Sequence, residues 1–429
     1  MSTGTAVPGL YPRCALALSV LTPLAALPLR GSSTAVFYLF VLVSLAAAAH
    51  HRLRRFDGVA VRYPAAIACA LALPLASTLL TAASVASLPG SEVEKSLRFL
   101  LALPLLVLLG MACPARLRHV QWGFIGGACT GAAIILSGAW TGHGRDLTSF
   151  GANYNAVTVA NLTLWMGAAA LLTWPWTLSS RPGIERAAKL LAFALSVCAV
   201  QVSETRSSWM LLPVLAFIIV HGMQLKRRSR ATAALGCVAL VAGAAVVIYF
   251  NNPRFSSIAR EALLFFDGDL RNTSVSLRLQ LWRASFEIFL NHPWLGVGPE
   301  NFRLTLGQLA TQGLITPYTA MYFGESHNDF LAALARNGIV GFLAISSLYA
   351  LPAYWFCRRA RDADRIVRTA AQLGLLLCLG YAAFSLTEMM FRNMRSVPLY
   401  STLLVVLASM ARGARPHRAE TPAPPAPDI

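Results

Sequence analysis

Residues 328–353 read NDFLAALARNGIVGFLAISSLYALPA, and residues 357–368 read CRRARDADRIVR. A long apolar run ends in a knot of arginines, and a second apolar run follows at 366–387. This is the pattern of two membrane-crossing helices joined by a basic loop on one side. The same pattern recurs on both sides of it. Apolar stretches long enough to cross a hydrocarbon core lie near 14–29, 35–50, 64–83, 96–113, 119–138 and 153–175. Others lie near 187–203, 209–224, 231–250 and 396–411. With the opening pair, the sequence predicts twelve spans.

Composition agrees. Of 429 residues, 56% are hydrophobic and only 13% charged. A soluble domain carries about 25% charged residues, so this chain has too few to cover a soluble surface. The first apolar stretch, Cys14 to Leu29, is interrupted by prolines and lacks a small-residue cleavage site. It is therefore expected to be a retained span rather than a signal peptide. The net charge is +18. On a soluble protein this would point to nucleic acid. Here no nucleic-acid partner is expected, because cytoplasmic loops of membrane proteins collect Lys and Arg. Arginine supplies nearly all of the charge, since the only lysines are Lys95, Lys189 and Lys226. The eight cysteines lie in or beside apolar stretches, with no CxxC pair and no Cys/His spacing for zinc.

Alternate loops differ sharply in charge. One side holds 22 Lys and Arg residues, from Arg13 through Arg54, Arg116, Arg186, Arg228 and Arg359 to Arg418. The short loops of the other side hold seven: Arg30, Lys95, Arg98, Arg145, Arg206, Arg392 and Arg395. The asymmetry predicts both termini in the cytoplasm. The expected organisation is nine spans over 1–250, an outer loop domain at 251–327, three spans over 328–412, and a disordered cytoplasmic tail at 413–429. Ser276 is expected to cap a loop helix running to about Leu290, with Leu281, Trp282, Ser285, Ile288 and Phe289 on one face. The run NHPWLGVG (291–298) then ends it in a turn-rich stretch.

Positive residues on the outer side depart from the charge rule and are the informative ones. Arg206 lies in Glu204-Thr205-Arg206-Ser207-Ser208-Trp209, between two spans. It reads either as a snorkelling side chain or as an anion clamp, for which neighbouring hydroxyls and a following helix start are suited. Arg278, in Ser276-Leu277-Arg278-Leu279-Gln280-Leu281-Trp282-Arg283, reads either as a solvated helix face or as a second anion ligand; Arg283 points elsewhere. His327 lies in Gly324-Glu325-Ser326-His327-Asn328-Asp329, where the loop returns to the membrane. Histidine is the commonest general base near neutral pH. Glu325 and Asp329 are available to orient its ring, and Asn328 to bind substrate. Lys95, Arg98 and Asn155 are further substrate-binding candidates, and Glu388 and Arg392 follow the eleventh span. Asp267-Gly268-Asp269 matches a metal–nucleotide DxD motif, but a Gly between aspartates in a loop reads first as a turn. No metal site is expected.

Twelve spans, a large late outer loop, TRSSW, SxRxxLW…NHPWLGVG and HNDFL together resemble the O-antigen ligase and polymerase superfamily, and within it the O-antigen ligases. The topology covers most of the chain, whereas the motifs fall within roughly 145–210 and 270–340. The resemblance implies an all-α polytopic fold of the GT-C glycosyltransferase kind in the bacterial inner membrane, with a helical periplasmic loop. It implies an inverting, metal-independent and cofactor-free glycosyltransferase. The donor would be undecaprenyl-diphosphate-linked O antigen and the acceptor lipid A–core oligosaccharide, both reached from among membrane lipids. It assigns the loop arginine to Arg278, the membrane-edge arginine to Arg206 and the histidine to His327. An O-antigen polymerase or a protein O-oligosaccharyltransferase shares this plan. A lipid-linked sugar transporter stands further off, because a single large outer loop is present and no internal repeat is; against an assembly scaffold stands the clustering of His and Arg on one face.

Overall fold

The computed structural model describes residues 9–50, 65–86, 90–141, 155–223, 253–392 and 395–412, with isolated positions between 228 and 243. The expected ninth span, the tail 413–429, Arg145 and Asn153 lie outside these residues or only partly within them. Every regular element among the described residues is helical. In chain order these are α1 (Leu10–Leu24), α2 (Ser32–His50), α3 (Ala65–Val85), α4 (Gly90–Leu100), α5 (Leu105–Met111), α6 (Val120–Trp140), α7 (Ala156–Leu172), α8 (Pro182–Ser203) and α9 (Leu211–Gly222). The segment between the early and late helices contributes α10 (Pro253–Phe266), α11 (Ser274–Asn291), α12 (Phe302–Thr311) and α13 (Pro317–Tyr322). The late helices are α14 (Asp329–Cys357), α15 (Arg365–Ser385) and α16 (Ser396–Met410).

Among the described residues, five stretches are long and apolar enough to cross a membrane: α2, α3, Pro114–Trp140, α14 and α15. Four shorter apolar helices accompany them. The chain is thus an all-helical, multi-pass membrane protein. The expected continuous span at 96–113 is instead two helices, α4 and α5, joined by a turn at 101–104. Pro104 lacks the N–H that a continuous helix would use, and α4 carries four charged residues (Glu92, Glu94, Lys95 and Arg98) on a strongly one-sided helix that does not suit lipid on all faces.

Two helices are buried around their whole circumference. Every residue of α16 is buried, and so are nearly all of α7. Lipid-facing helices keep one apolar side exposed, so α7 and α16 are interior helices with others packed about them. α7 is embraced by α6, α8 and α15. Close approach is made possible by Gly123, Gly127 and Gly131, spaced four apart on α6. A Cβ on these would overlap the Val20 carbonyl of α1, the Met166 side chain and the Thr163 hydroxyl of α7.

The segment 253–322 has its own small core. Leu281, Ala284 and Ile288 of α11 pack with Val297, Phe302, Leu306, Leu309, Ile315 and Ala335. The α11 helix begins three residues earlier than expected on its cap. Thr273, rather than Ser276, caps it, and its hydroxyl accepts from Ser276 N at 3.3 Å. Ser276 is buried inside the helix and receives Gln280 Nε2 at 3.2 Å.

This segment is joined to α14 by an exchange of backbone hydrogen bonds. At Gly338 (φ 62°, ψ −156°) the α14 backbone leaves helical geometry. The carbonyls of Ala335 and Arg336 would ordinarily accept from residues 339 and 340. They accept instead from Val297 N (3.1 Å) and Gly298 N (2.9 Å). The orphaned Ile339 N and Val340 N donate to Pro293 O (2.8 Å) and Trp294 O (3.4 Å). The loop 293–298 therefore fills the gap in the helix, one donor and acceptor for another. Two glycines permit it. A Cβ at Gly338 would overlap the Trp294 carbonyl, and one at Gly296 (φ 66°) would overlap the Ala335–Asn337 backbone. The left-handed φ adds strain for any other residue.

Gly338→Ala is expected to destabilise the purified protein by about 2–4 kcal/mol through strain and overlap. It should appear as a clear fall in thermal unfolding midpoint in detergent. Gly307→Ala, inside α12 where a Cβ meets nothing within 4 Å, should hold the midpoint or raise it slightly, since alanine favours the helix.

Candidate active site

The chain turns sharply at Glu204, a left-handed residue (φ 52°) that ends α8. A short 3-10 turn, Arg206–Met210, follows. This polar knot is fastened from beneath by Asn161, buried on α7, whose Oδ1 accepts from Ser207 Oγ (3.1 Å) and Ser208 Oγ (2.7 Å). The Ser203 hydroxyl donates to Thr205 Oγ1 at 2.9 Å. The serines of the TRSSW segment thus hold Arg206 in place and are not themselves free ligands.

Arg278 comes from the first turns of α11. Its Nη1 donates to Ser274 O at 3.2 Å, while its Nε is buried with no hydrogen-bond partner. Gln280, two residues on, points to the opposite side. Its Oε1 accepts from Thr316 N (2.9 Å), Thr316 Oγ1 (3.1 Å) and Thr319 Oγ1 (2.9 Å), which ties α13 to α11. Arg206 and Arg278 both line one cavity of about 860 Å³. Thr205, Ser207, Glu261, Ser274, Trp282 and Thr387 also line it. Burial lowers the Arg278 guanidinium's tendency to hold its proton, and the Glu388 carboxylate opposes this. Burial alone would raise Glu261. Hydrogen bonds from Thr273, from Ser257 Oγ (2.8 Å) and from Val275 N (3.4 Å), together with the charge of Arg206, more than offset that and hold it below its ordinary value.

His327 does not line the cavity; it faces Glu388, whose neighbour Thr387 does. Its backbone is left-handed (φ 49°), which turns the chain into α14. The Phe323 ring meets it edge-on. Its Nδ1 is buried without a hydrogen bond and lies 3.6 Å from Glu388 Oε1. Glu388 follows Thr387 of the cavity wall, and its Oε1 also accepts from Asn155 Nδ2 at 3.3 Å.

The other expected contacts are committed elsewhere. Asn155 and Asn328 are helix caps. The Asn155 side chain accepts from Val157 N (2.9 Å) and Thr158 N (3.4 Å), and that of Asn328 from Phe330 N (2.9 Å) and Leu331 N (3.1 Å). Asn328 Nδ2 donates to Leu386 O at 3.0 Å. Glu325 pairs with Arg392, and Asp329 is bound by the 385–391 turn, so the carboxylate that faces His327 is Glu388 instead. Lys95 pairs with Glu92 at 2.8 Å and Arg98 with Glu94 at 2.6 Å. Neither lines the cavity. Arg283 is exposed and outside it. Asp267-Gly268-Asp269 forms the turn after α10, with Gly268 at φ 89° and Asp269 paired to Arg271.

Glu388 is the residue that sequence reasoning undervalued. In the sequence it is one outer acid near a span end. Only the packing of α15 beside α14 brings it to His327, and no local pattern reports that.

Comparison with known proteins adds an independent line. A family model described as O-antigen ligase matches residues 191–346, a range that contains Arg206, Arg278 and His327. The chain is 25% identical over 305 residues to an O-antigen ligase of Pseudomonas aeruginosa, covering 68% of this chain and 67% of that protein. It is 21% identical over 328 residues to an uncharacterized protein of Haemophilus influenzae, covering 73% of this chain and 78% of that protein. The family match and the Pseudomonas relative thus both show similarity to O-antigen ligases, the family model over the stretch that contains the candidate site.

Proposed function

We propose that the protein transfers O-antigen polysaccharide from undecaprenyl diphosphate to lipid A–core oligosaccharide, on the periplasmic face of the bacterial inner membrane. The observation that carries this reading is that Arg206 and Arg278 share one cavity, and that Glu388, next to Thr387 of its wall and within electrostatic reach of Arg278, faces His327. Two cations in one cavity suit a diphosphate. A histidine backed by a carboxylate suits removal of a proton from an alcohol.

In this reading Arg206 and Arg278 hold the donor diphosphate and offset the negative charge that grows on it as it leaves. Glu388 accepts the Nδ1–H of His327, which fixes the tautomer and leaves Nε2 to take the acceptor hydroxyl proton. The acceptor oxygen bonds to the anomeric carbon from the face opposite the diphosphate. The carbon–oxygen bond to the phosphate breaks, and its electron pair departs with the diphosphate. The anomeric centre inverts. A diphosphate needs no strong general acid to leave, so one base and two cations suffice. Charge neutralisation by guanidinium groups makes the reaction metal-independent in this reading. The 3.6 Å separation closes to a hydrogen bond with a small movement of either side chain.

With purified protein reconstituted with lipid-linked polymer and lipid A–core, His327→Ala is expected to lower turnover by about 10²–10⁴-fold. Near-parent turnover in folded protein would remove the base assignment. Arg278→Ala should weaken donor use by at least about 10-fold, as loss of a charge-assisted contact does, and unchanged donor binding and turnover would remove the clamp. Transfer should persist in the presence of a chelator. In cells lacking the protein, lipid-linked polymer should accumulate while the polysaccharide ladder disappears from lipopolysaccharide; a polymerase would instead shorten the polymer itself.

A further inference from the structure

The carboxylate partner of His327 lies in a turn, 386–391, that has no regular secondary structure of its own to hold it. Besides the bonds of Glu388 itself to Asn155 Nδ2 and Phe384 O, the turn is held by the first two residues of the chain after His327. Asp329 is buried, and its Oδ2 accepts three hydrogen bonds from the two ends of that turn. These come from Ser385 Oγ at 2.7 Å, Met390 N at 2.9 Å and Phe391 N at 3.4 Å. The single Ser385 proton goes to Asp329, so Ser385 Oγ accepts from Tyr349 OH at 2.7 Å, which extends the network into α14. Between the two gripped ends, Asn328 Nδ2 holds Leu386 O. Glu388 sits in the middle of the span so fixed, 3.6 Å from His327.

We propose that Asp329 is a positioning residue that sets Glu388 against His327. The inference rests on the reading of His327 as the base. One short stretch of chain, 327–329, then carries the base and also clamps the turn that supplies its orienting carboxylate. A shift of the loop relative to α15 would carry the histidine and its partner together. Asp329 does not touch the reacting groups. Its three acceptor bonds use one oxygen on main-chain and hydroxyl donors, and its effect on catalysis passes through the position of Glu388.

Full-length protein in the reconstituted transfer assay tests this through Asp329→Asn, Glu388→Gln and the double variant. Each single variant is expected to lower kcat by about 10–100-fold with the KM for lipid donor within about twofold of the parent, since the diphosphate contacts remain. The double variant is expected to be no slower than the slower single, because residues that act through one another are not additive. Multiplied losses in the double variant would overturn the proposal, as would parent kcat in Asp329→Asn or a loss confined to KM. If Asp329→Asn fails to fold by thermal unfolding and size exclusion, Ser385→Ala removes one of the three donors and is held to the same criteria with a smaller loss in kcat. Should the double variant multiply while His327→Ala is inactive, the positioning role fails and the base reading stands. Near-parent turnover in His327→Ala would overturn the base reading and the positioning role with it.

Discussion

The architecture depends on the exchange of backbone hydrogen bonds between the loop 293–298 and the interrupted helix α14. A helix broken near a membrane edge exposes donors and acceptors that water cannot reliably reach, and each unmet group costs free energy on the scale of a lost hydrogen bond. Here the orphaned groups of 335–340 are met by residues 293, 294, 297 and 298. The same four contacts seat the loop segment on the transmembrane bundle. The small core around Phe302 and Leu306 then packs against Ala335, so the loop is fixed by apolar burial as well as by hydrogen bonding. Arg278 on α11 and His327 before α14 are therefore carried on a rigid frame that starts from one helix break.

A second constraint acts on the other side of the cavity. Two asparagines cap two helices, α7 and α14, and each spends its side-chain amide on the turn after α15: Asn155 on Glu388 and Asn328 on Leu386. Helix N-termini carry a partial positive charge, which suits a nearby carboxylate. The residues that begin helices thus also place the acid beside His327. Arg206 is fixed by different means, through Asn161 and the serines of its own turn. Three asparagines thus anchor the two turns, after α8 and after α15, whose residues Arg206 and Thr387 line one cavity.

Much of this was legible in the sequence, and the failures have definite causes. The apolar runs located most helices because burial in lipid demands a composition that no soluble surface tolerates. The run 96–113 misled because hydropathy averages over a window, while Pro104 and the charges of α4 act at single positions. The capping of α11 by Thr273 rather than Ser276 is an ambiguity between two residues of equal capping chemistry. Lys95 and Arg98 were attractive as outer cations, but Glu92 and Glu94, three and four residues away on the same helix, already occupy them. That spacing is visible in the sequence and carries the signal that would have demoted them.

What the sequence by itself determined is the class of protein and the candidate residues: arginines where the charge rule disfavours them, and a histidine where the loop returns. Those are local properties, set by composition and by neighbours along the chain. What only the tertiary structure decided is partnership. Glu388 rather than Glu325 or Asp329 faces His327, and Arg206 meets Arg278 across one cavity, because α14, α15 and α11 pack in one particular register. Such pairings join residues far apart in the chain. They follow from the shapes of whole helices, and from glycines at 296 and 338 that let two backbones touch, so no window of sequence contains them.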